Sequence, residues 1–315
     1  MASADPVDQT NFLKTDGRES RIGQTIIAEL LAQFGADGLA AQAFGLVVAV
    51  PGPDGRARGF IHNGSWRCYP CSLVKTFHLV HALAALEAGR IAPHGEFDRA
   101  LRAMIKWSSN TGTNYVIDLL TETTGDTLLD PAAMAAWITR REGLNRFFAG
   151  LGWPEFASCN ITQKLMDDTR FGREALYAGT GGANLNALTP LATARLMWSI
   201  WHGGLPLSAD AQMRAQQTLI RDPLSPDAAD ENYQLSEYLC GAMPADVQMW
   251  SKAGHNLWTG DPAASWYKHD MARIEGPGRA PLTMVLMTQG KAISAENTDV
   301  FPKIGRLIWD MAAEL

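Results

Sequence analysis

The chain has 315 residues, 46% of them hydrophobic and 19% charged, with a formal net charge of −6. That length suits one large core or two lobes sharing a cleft. The acidic balance offers no basic face for nucleic acid or an anionic membrane, and no apolar stretch is long enough to span a bilayer. Residues 1–20, MASADPVDQTNFLKTDGRES, read as a polar leader without the apolar region of a secretory signal. The expected location is the cytoplasm, or the periplasm or exterior if a leader has been removed. IGQTIIAELLAQFG (22–35) follows with apolar residues at helical spacing and a terminal Gly. FGLVVAV and ARGFIHN are short β-type runs split by the turn PGPDGR, and so predict a hairpin.

RCYPCSLVKTFHLVHALAALEAGR (67–90) is apolar on nearly every face, the pattern of a buried helix, yet carries Ser72 and Lys75 at its head. Cys68 and Cys71 make a C-x-x-C, but no second pair completes a zinc set. Two small buried side chains flanking Ser72 are expected, with no metal and no cofactor. A redox or zinc role is the competing reading, and it predicts a reducible disulfide or bound metal. From here to about Gly204 the pattern is helical, with Thr189 as an N-cap and Pro190 at the first helical position of LTPLATARLMWSIW. Arg221–Tyr238 is acidic and polar and reads as a surface loop. Strand signals return in DVQMWSKAGH, ASWYKHDMARIEG and APLTMVLMTQG, the last two forming a hairpin around EGPGRAP, before the closing helix PKIGRLIWDMAAEL.

Strands at both ends joined by tight turns imply an α+β fold: an antiparallel sheet flanked by N- and C-terminal helices, plus an inserted all-helical lobe. The boundaries expected are a sheet lobe of 21–70 and 215–315 and a helical lobe of 71–214, in one catalytic unit with its site in the cleft between lobes.

Ser72 and Lys75 share one face of one helical turn. Burial penalises an ammonium, so a lysine in such a helix moves toward the neutral amine that can take a serine proton. The helix N-terminus also supplies backbone N–H groups for an oxyanion. Two further elements follow in order: Ser108 and Asn110 as an S-x-N in WSSNTGTNYVIDLL, and Lys252, Ala253 and Gly254 in WSKAGH.

The set S-x-x-K, S-x-N, K-x-G resembles the serine β-lactamase and penicillin-binding protein superfamily, most closely its class A-like branch, over roughly residues 20 to 312. The resemblance implies Ser72 as acyl-accepting nucleophile, Lys75 as its base, and Ser108 with Lys252 relaying a proton to the leaving group. It implies Asn110 binding the substrate amide and orienting Lys75, and the backbone N–H groups of Ser72 and His255 forming the oxyanion hole. Ala253 and Gly254 then line the substrate site. Two departures bear on function. Ala253 lacks the family's hydroxyl for a substrate carboxylate, a loss of about 1.5–3 kcal/mol for a hydrogen bond to a charged group. No Glu stands in a clear E-x-x-x-N between Leu151 and Pro190; the acids there are Glu155, Asp167, Asp168 and Glu174, and Asn184 and Asn186 have no adjacent Glu.

The reading expected is a serine hydrolase cleaving a small-molecule amide or ester through a Ser72 acyl-enzyme, with β-lactams as one substrate class. The alternatives are a transacylase or DD-peptidase-like enzyme, and a sensor that acylates once without turnover.

Overall fold

The computed structural model describes residues 12–124, 127–166 and 169–315. Strand β1 (Leu13–Lys14) and helix α1 (Gly17–Phe34) lead into the hairpin β2 (Phe44–Pro51) and β3 (Ala57–His62). The helices then follow as α2 (Val74–Glu87), α3 (Gly95–Lys106), α4 (Asn110–Thr121), α5 (Pro131–Arg141), α6 (Gly143–Ala149), α7 (Gly172–Ala178), α8 (Pro190–His202) and α9 (Ala209–Leu219). Strands β4 (Ile220–Arg221), β5 (Gln248–His255), β6 (Tyr267–Glu275) and β7 (Leu282–Gln289) precede α10 (Val300–Met311).

The seven strands form one sheet in the order β1-β3-β2-β7-β6-β5-β4. The two strand groups therefore meet at β2–β7, with Val47 opposite Val285. The fold is α+β, as the alternation of strand and turn signals implies. One pairing departs from the antiparallel expectation: β1 runs parallel to β3, with Leu13 opposite Ala57. A two-residue strand carries too little periodicity to be read from sequence.

β2 shows how the sheet serves two layers. Leu46, Val48 and Val50 pack with Ile26 and Leu30 of α1 and Ile304 and Ile308 of α10. Val47 and Ala49, one residue out of phase, join the core under the helical block with Phe77, Val80 and Leu83. Strand side chains alternate faces, so FGLVVAV has to be apolar throughout. The α1 start lies upstream of Ile22 because Asp16 caps it, its side chain accepting from Arg18 N and Glu19 N. Thr189 caps α8 as the sequence indicates, its Oγ1 accepting from Ala192 N at 3.1 Å with Pro190 first in the helix.

Helix α2 is buried from Val74 to Ala85, and only the last turn reaches solvent. Truncating a core side chain such as Phe77 to Ala would cost about 3–5 kcal/mol. No helix among the described residues is long and apolar enough to cross a membrane.

Candidate active site

Ser72 sits in a single 3₁₀ turn, Cys71–Leu73, that feeds directly into α2. The turn is sharp: Cys71 has φ +49°, a left-handed conformation that costs a non-glycine residue about 1–3 kcal/mol. Strand β5 presses against it. A β-carbon on Gly254 would overlap Ser72 N and stand 3.0 Å from Cys71 Cβ and 3.1 Å from Ser72 Cα. Only glycine permits this approach, so Gly254 sets how closely β5 lies to Ser72.

Lys75 is fully buried one turn along. Its Nζ donates to Asn110 Oδ1 at 2.8 Å, to Ser108 Oγ at 3.1 Å and to the Ser108 backbone carbonyl. Ser108 lies between α3 and α4 with φ +56°, and the next residue, Ser109, caps α4 by accepting from Gly112 N at 3.0 Å. The turn that strains Ser108 thus also launches the helix carrying Asn110.

From the other side, the fully buried Lys252 of β5 places its Nζ 3.0 Å from the same Ser108 Oγ and also donates to Gln234 Oε1 and Ala253 O. Carbonyl oxygens only accept; a hydroxyl both accepts and donates. Among the named partners of the two lysines, Ser108 Oγ is therefore the group through which a proton can pass between them. Burial pushes the Lys252 ammonium well below the usual lysine range, and the Lys75 and Arg221 charges push it the same way against the opposing pull of Asp270.

Beyond Gly254, His255 ends β5 at the surface, its Nδ1 2.7 Å from the Tyr238 hydroxyl. Partial burial, then the Lys268 and Lys252 cations, hold its ring below the ordinary histidine value. Ala253 is buried opposite Asp270 of β6. Asp270 Oδ2 accepts from Leu239 N at 3.0 Å, and burial pushes its carboxyl up to about 7.

The acids between Leu151 and Pro190 fall into two groups. Glu155 and Glu174 are engaged with arginines: Glu174 is fully buried and held by Arg141 at 2.6 and 2.9 Å, and Glu155 meets Arg195 at 3.3 Å. Both carboxylates are thus committed to guanidinium partners. Asp167 and Asp168 lie outside the described residues. Asn186 clamps Gln163, and Asn114, one helical turn after Asn110, clamps Leu165 through the Leu165 N–H and carbonyl at 3.0 and 2.9 Å. Asn184 accepts from Asn160 at 3.0 Å. These asparagines are loop fasteners.

Cys68 and Cys71 are free, buried thiols. Burial raises both well above the usual thiol value, against thiolate chemistry. No group of three His, Cys, Asp or Glu side chains among the described residues is placed to hold a metal ion. Three participants had no motif to announce them: Gln234, Tyr238 and Asp270. The first two fall in the polar stretch that reads as plain loop.

Comparison with known proteins adds the following. The profile of the β-lactamase enzyme family matches residues 96–312. A search of curated proteins finds no match. Among solved structures, a β-lactamase from Sphaerobacter thermophilus is 17% identical, covering 91% of this chain and 97% of its own, with TM-score 0.63. A β-lactamase from Xanthomonas campestris is 17% identical over 92% of this chain and 98% of its own, with TM-score 0.62. A class A β-lactamase from Mycobacterium abscessus is 18% identical over 90% of this chain and 98% of its own, with TM-score 0.58. At these identities the likeness shows a shared fold.

Proposed function

The chain belongs to the β-lactamase enzyme family, and from that premise we propose that it is a serine hydrolase acting on an amide or ester through Ser72. In this reading the Ser72 hydroxyl attacks the substrate carbonyl carbon while its proton passes to the Lys75 amine. The negative charge that develops on the carbonyl oxygen is met by the backbone N–H groups of Ser72 and His255. Collapse breaks the bond to the leaving group, which takes a proton from Ser108; Ser108 is resupplied by Lys252 or Lys75. The Ser72 ester then yields to water, releasing the acid. Asn110 holds Lys75 in place and faces the substrate amide.

The observation that carries this reading is Ser108 Oγ standing 3.1 Å from one buried lysine amine and 3.0 Å from another, contributed by different parts of the chain. Such a hydroxyl-bridged pair costs desolvation of two cations unless one sheds its proton. A structural role would be filled more cheaply by apolar side chains. Engagement of Glu155 and Glu174 in ion pairs favours, as a second reading, transfer of the acyl group to an amine or alcohol in place of water.

Turnover of a chromogenic cephalosporin and an activated phenyl ester tests the proposal. Ser72→Ala is expected to lose several orders of magnitude on whichever substrate reacts. Retained turnover overturns it, and products of added amines would identify acyl transfer.

A further inference from the structure

A cavity of about 1070 Å³ opens beside the end of β5, between β4 and the segment running from Asp222 to Met249. Gln234, Tyr238 and His255 belong to its wall, and they connect it to the reaction centre. Gln234 accepts from Lys252, its amide reaches the Tyr238 hydroxyl, and that hydroxyl meets His255 Nδ1 at 2.7 Å. The chain of contacts runs from the amine at Ser108 to the residue after Gly254, and its three wall groups are polar and uncharged.

The charged groups of the same cavity have one dominant sign. Asp222, Asp230, Glu231 and Glu237 line it and are exposed. Among the described lining residues the one permanent cation is Arg221, only 2% exposed. Its two terminal nitrogens donate to the carbonyls of Lys106 and Ile105, at 3.0 and 2.8 Å, and its burial leaves no exposed guanidinium face for an incoming carboxylate. Two sources of anion recognition are thus missing from the wall, an exposed guanidinium and a charged imidazole at His255, and Ala253, two residues earlier on β5, carries no hydroxyl.

Resting on the acyl-enzyme reading above, we propose that the cavity walled by Gln234, Tyr238 and His255 is a substrate subsite. It accepts an uncharged, hydrogen-bonding portion of the substrate on Gln234, Tyr238 and His255, and discriminates against a substrate carboxylate. The preferred substrate class is a neutral amide or ester, where a penicillin-like compound carries an acid. Two features supply the discrimination. A carboxylate buried against the wall gains no ionic partner to offset its lost hydration, and it approaches past four carboxylates of its own sign. A neutral carbonyl or hydroxyl pays neither penalty, and finds donors in the Gln234 amide and the imidazole.

The test uses one chromogenic cephalosporin as its free acid and as its methyl ester, identical except for the charge. The second-order rate of Ser72 labelling is followed by intact mass. The ester is expected to react about tenfold faster or more, equivalent to one hydrogen bond to a charged group. Ala253→Thr, and separately the exposed pair Glu231→Gln with Glu237→Gln, should each shrink that ratio by favouring the acid. The second variant changes only exposed side chains, and so keeps the test valid if the first misfolds. An ester no faster than the acid, with Ser72 labelled by both, overturns the subsite proposal alone. If neither probe labels Ser72 while an activated ester does, the subsite proposal is overturned alone; if none of the three labels it, the acyl-enzyme reading fails and the subsite proposal falls with it.

Discussion

Replacing Gly254 with alanine adds a single methyl group and asks how tightly β5 must lie on Ser72. The added carbon would overlap Ser72 N and stand 3.1 Å from Ser72 Cα and 3.0 Å from Cys71 Cβ. Ordinary contacts between such atoms are about 3.5–4.0 Å. Strand and turn must therefore separate by roughly half an ångström to one ångström, and all the close atoms are backbone or the stem of a buried side chain, so no flexible tip can absorb the change. Ser72 would move relative to the N–H groups proposed for the oxyanion. Misplacement by about 1 Å costs on the order of 10²-fold in rate. Overpacking costs about 1–3 kcal/mol of stability in addition. The assay is the rate of Ser72 labelling by an activated ester, measured beside the thermal midpoint. Gly95→Ala is the control, since a β-carbon there meets nothing within 4 Å. A folded Gly254→Ala enzyme labelled at the rate of the unchanged protein would refute the argument that this contact positions Ser72.

Ser108→Gly should separate activity from stability. It removes the hydroxyl between two lysines and relieves a left-handed φ of +56°, so labelling should fall about 10²–10⁴-fold while the urea midpoint holds or rises. A loss in both would assign Ser108 to packing. Glu174→Gln breaks the fully buried pair with Arg141 and should cost about 3–5 kcal/mol by urea titration, with activity per folded molecule retained. A stable but inactive variant would return Glu174 to the chemistry. For pH, burial holds His78 and His81 down to about 3 and His269 to about 4. Only the unfolded chain takes up their protons below pH 6.5, so each lowers stability as pH falls. Asp270, raised from 3.8 to about 7, acts in the opposite sense, because the folded carboxyl keeps its proton where the unfolded one ionises. For these four groups the unfolded state binds about two more protons near pH 5, and their contribution to the unfolding free energy should fall by about 2–3 kcal/mol per pH unit on acidification. A flat profile from pH 6 to 5 would contradict the neutral burial of these histidines.

The hairpin of β2 and β3 and the capped start of α8 were legible, because each rests on local periodicity or turn chemistry; the stretch Arg221–Tyr238 reads as a surface loop, yet Arg221 lies in β4 and Arg221, Tyr233, Gln234 and Tyr238 are buried. Ser72, Lys75, Ser108, Asn110 and Lys252 were legible only as a set, since each short motif alone recurs by chance. The parallel partner of β3 was not legible; Leu13–Lys14 is too short to show a period, and its pairing depends on where the whole sheet closes. Gln234 and Tyr238 were hidden for a different reason. They look like ordinary loop polarity until β5 brings Lys252 and His255 alongside them. The acids between Leu151 and Pro190 show the limit from the other direction. Glu174 looks as available as any other carboxylate in sequence, and what removes it is an arginine 33 residues upstream.

The claim on which the account rests is that Ser72 takes the acyl group with the help of the lysine one turn away. The most direct test is peptide mapping after a brief exposure to the cephalosporin methyl ester and to an activated ester, for the unchanged protein and for Lys75→Met. The account predicts an adduct on Ser72 alone in the first, and labelling slowed by orders of magnitude in the second. An adduct on another residue, or Ser72 labelled at an undiminished rate without Lys75, would contradict it.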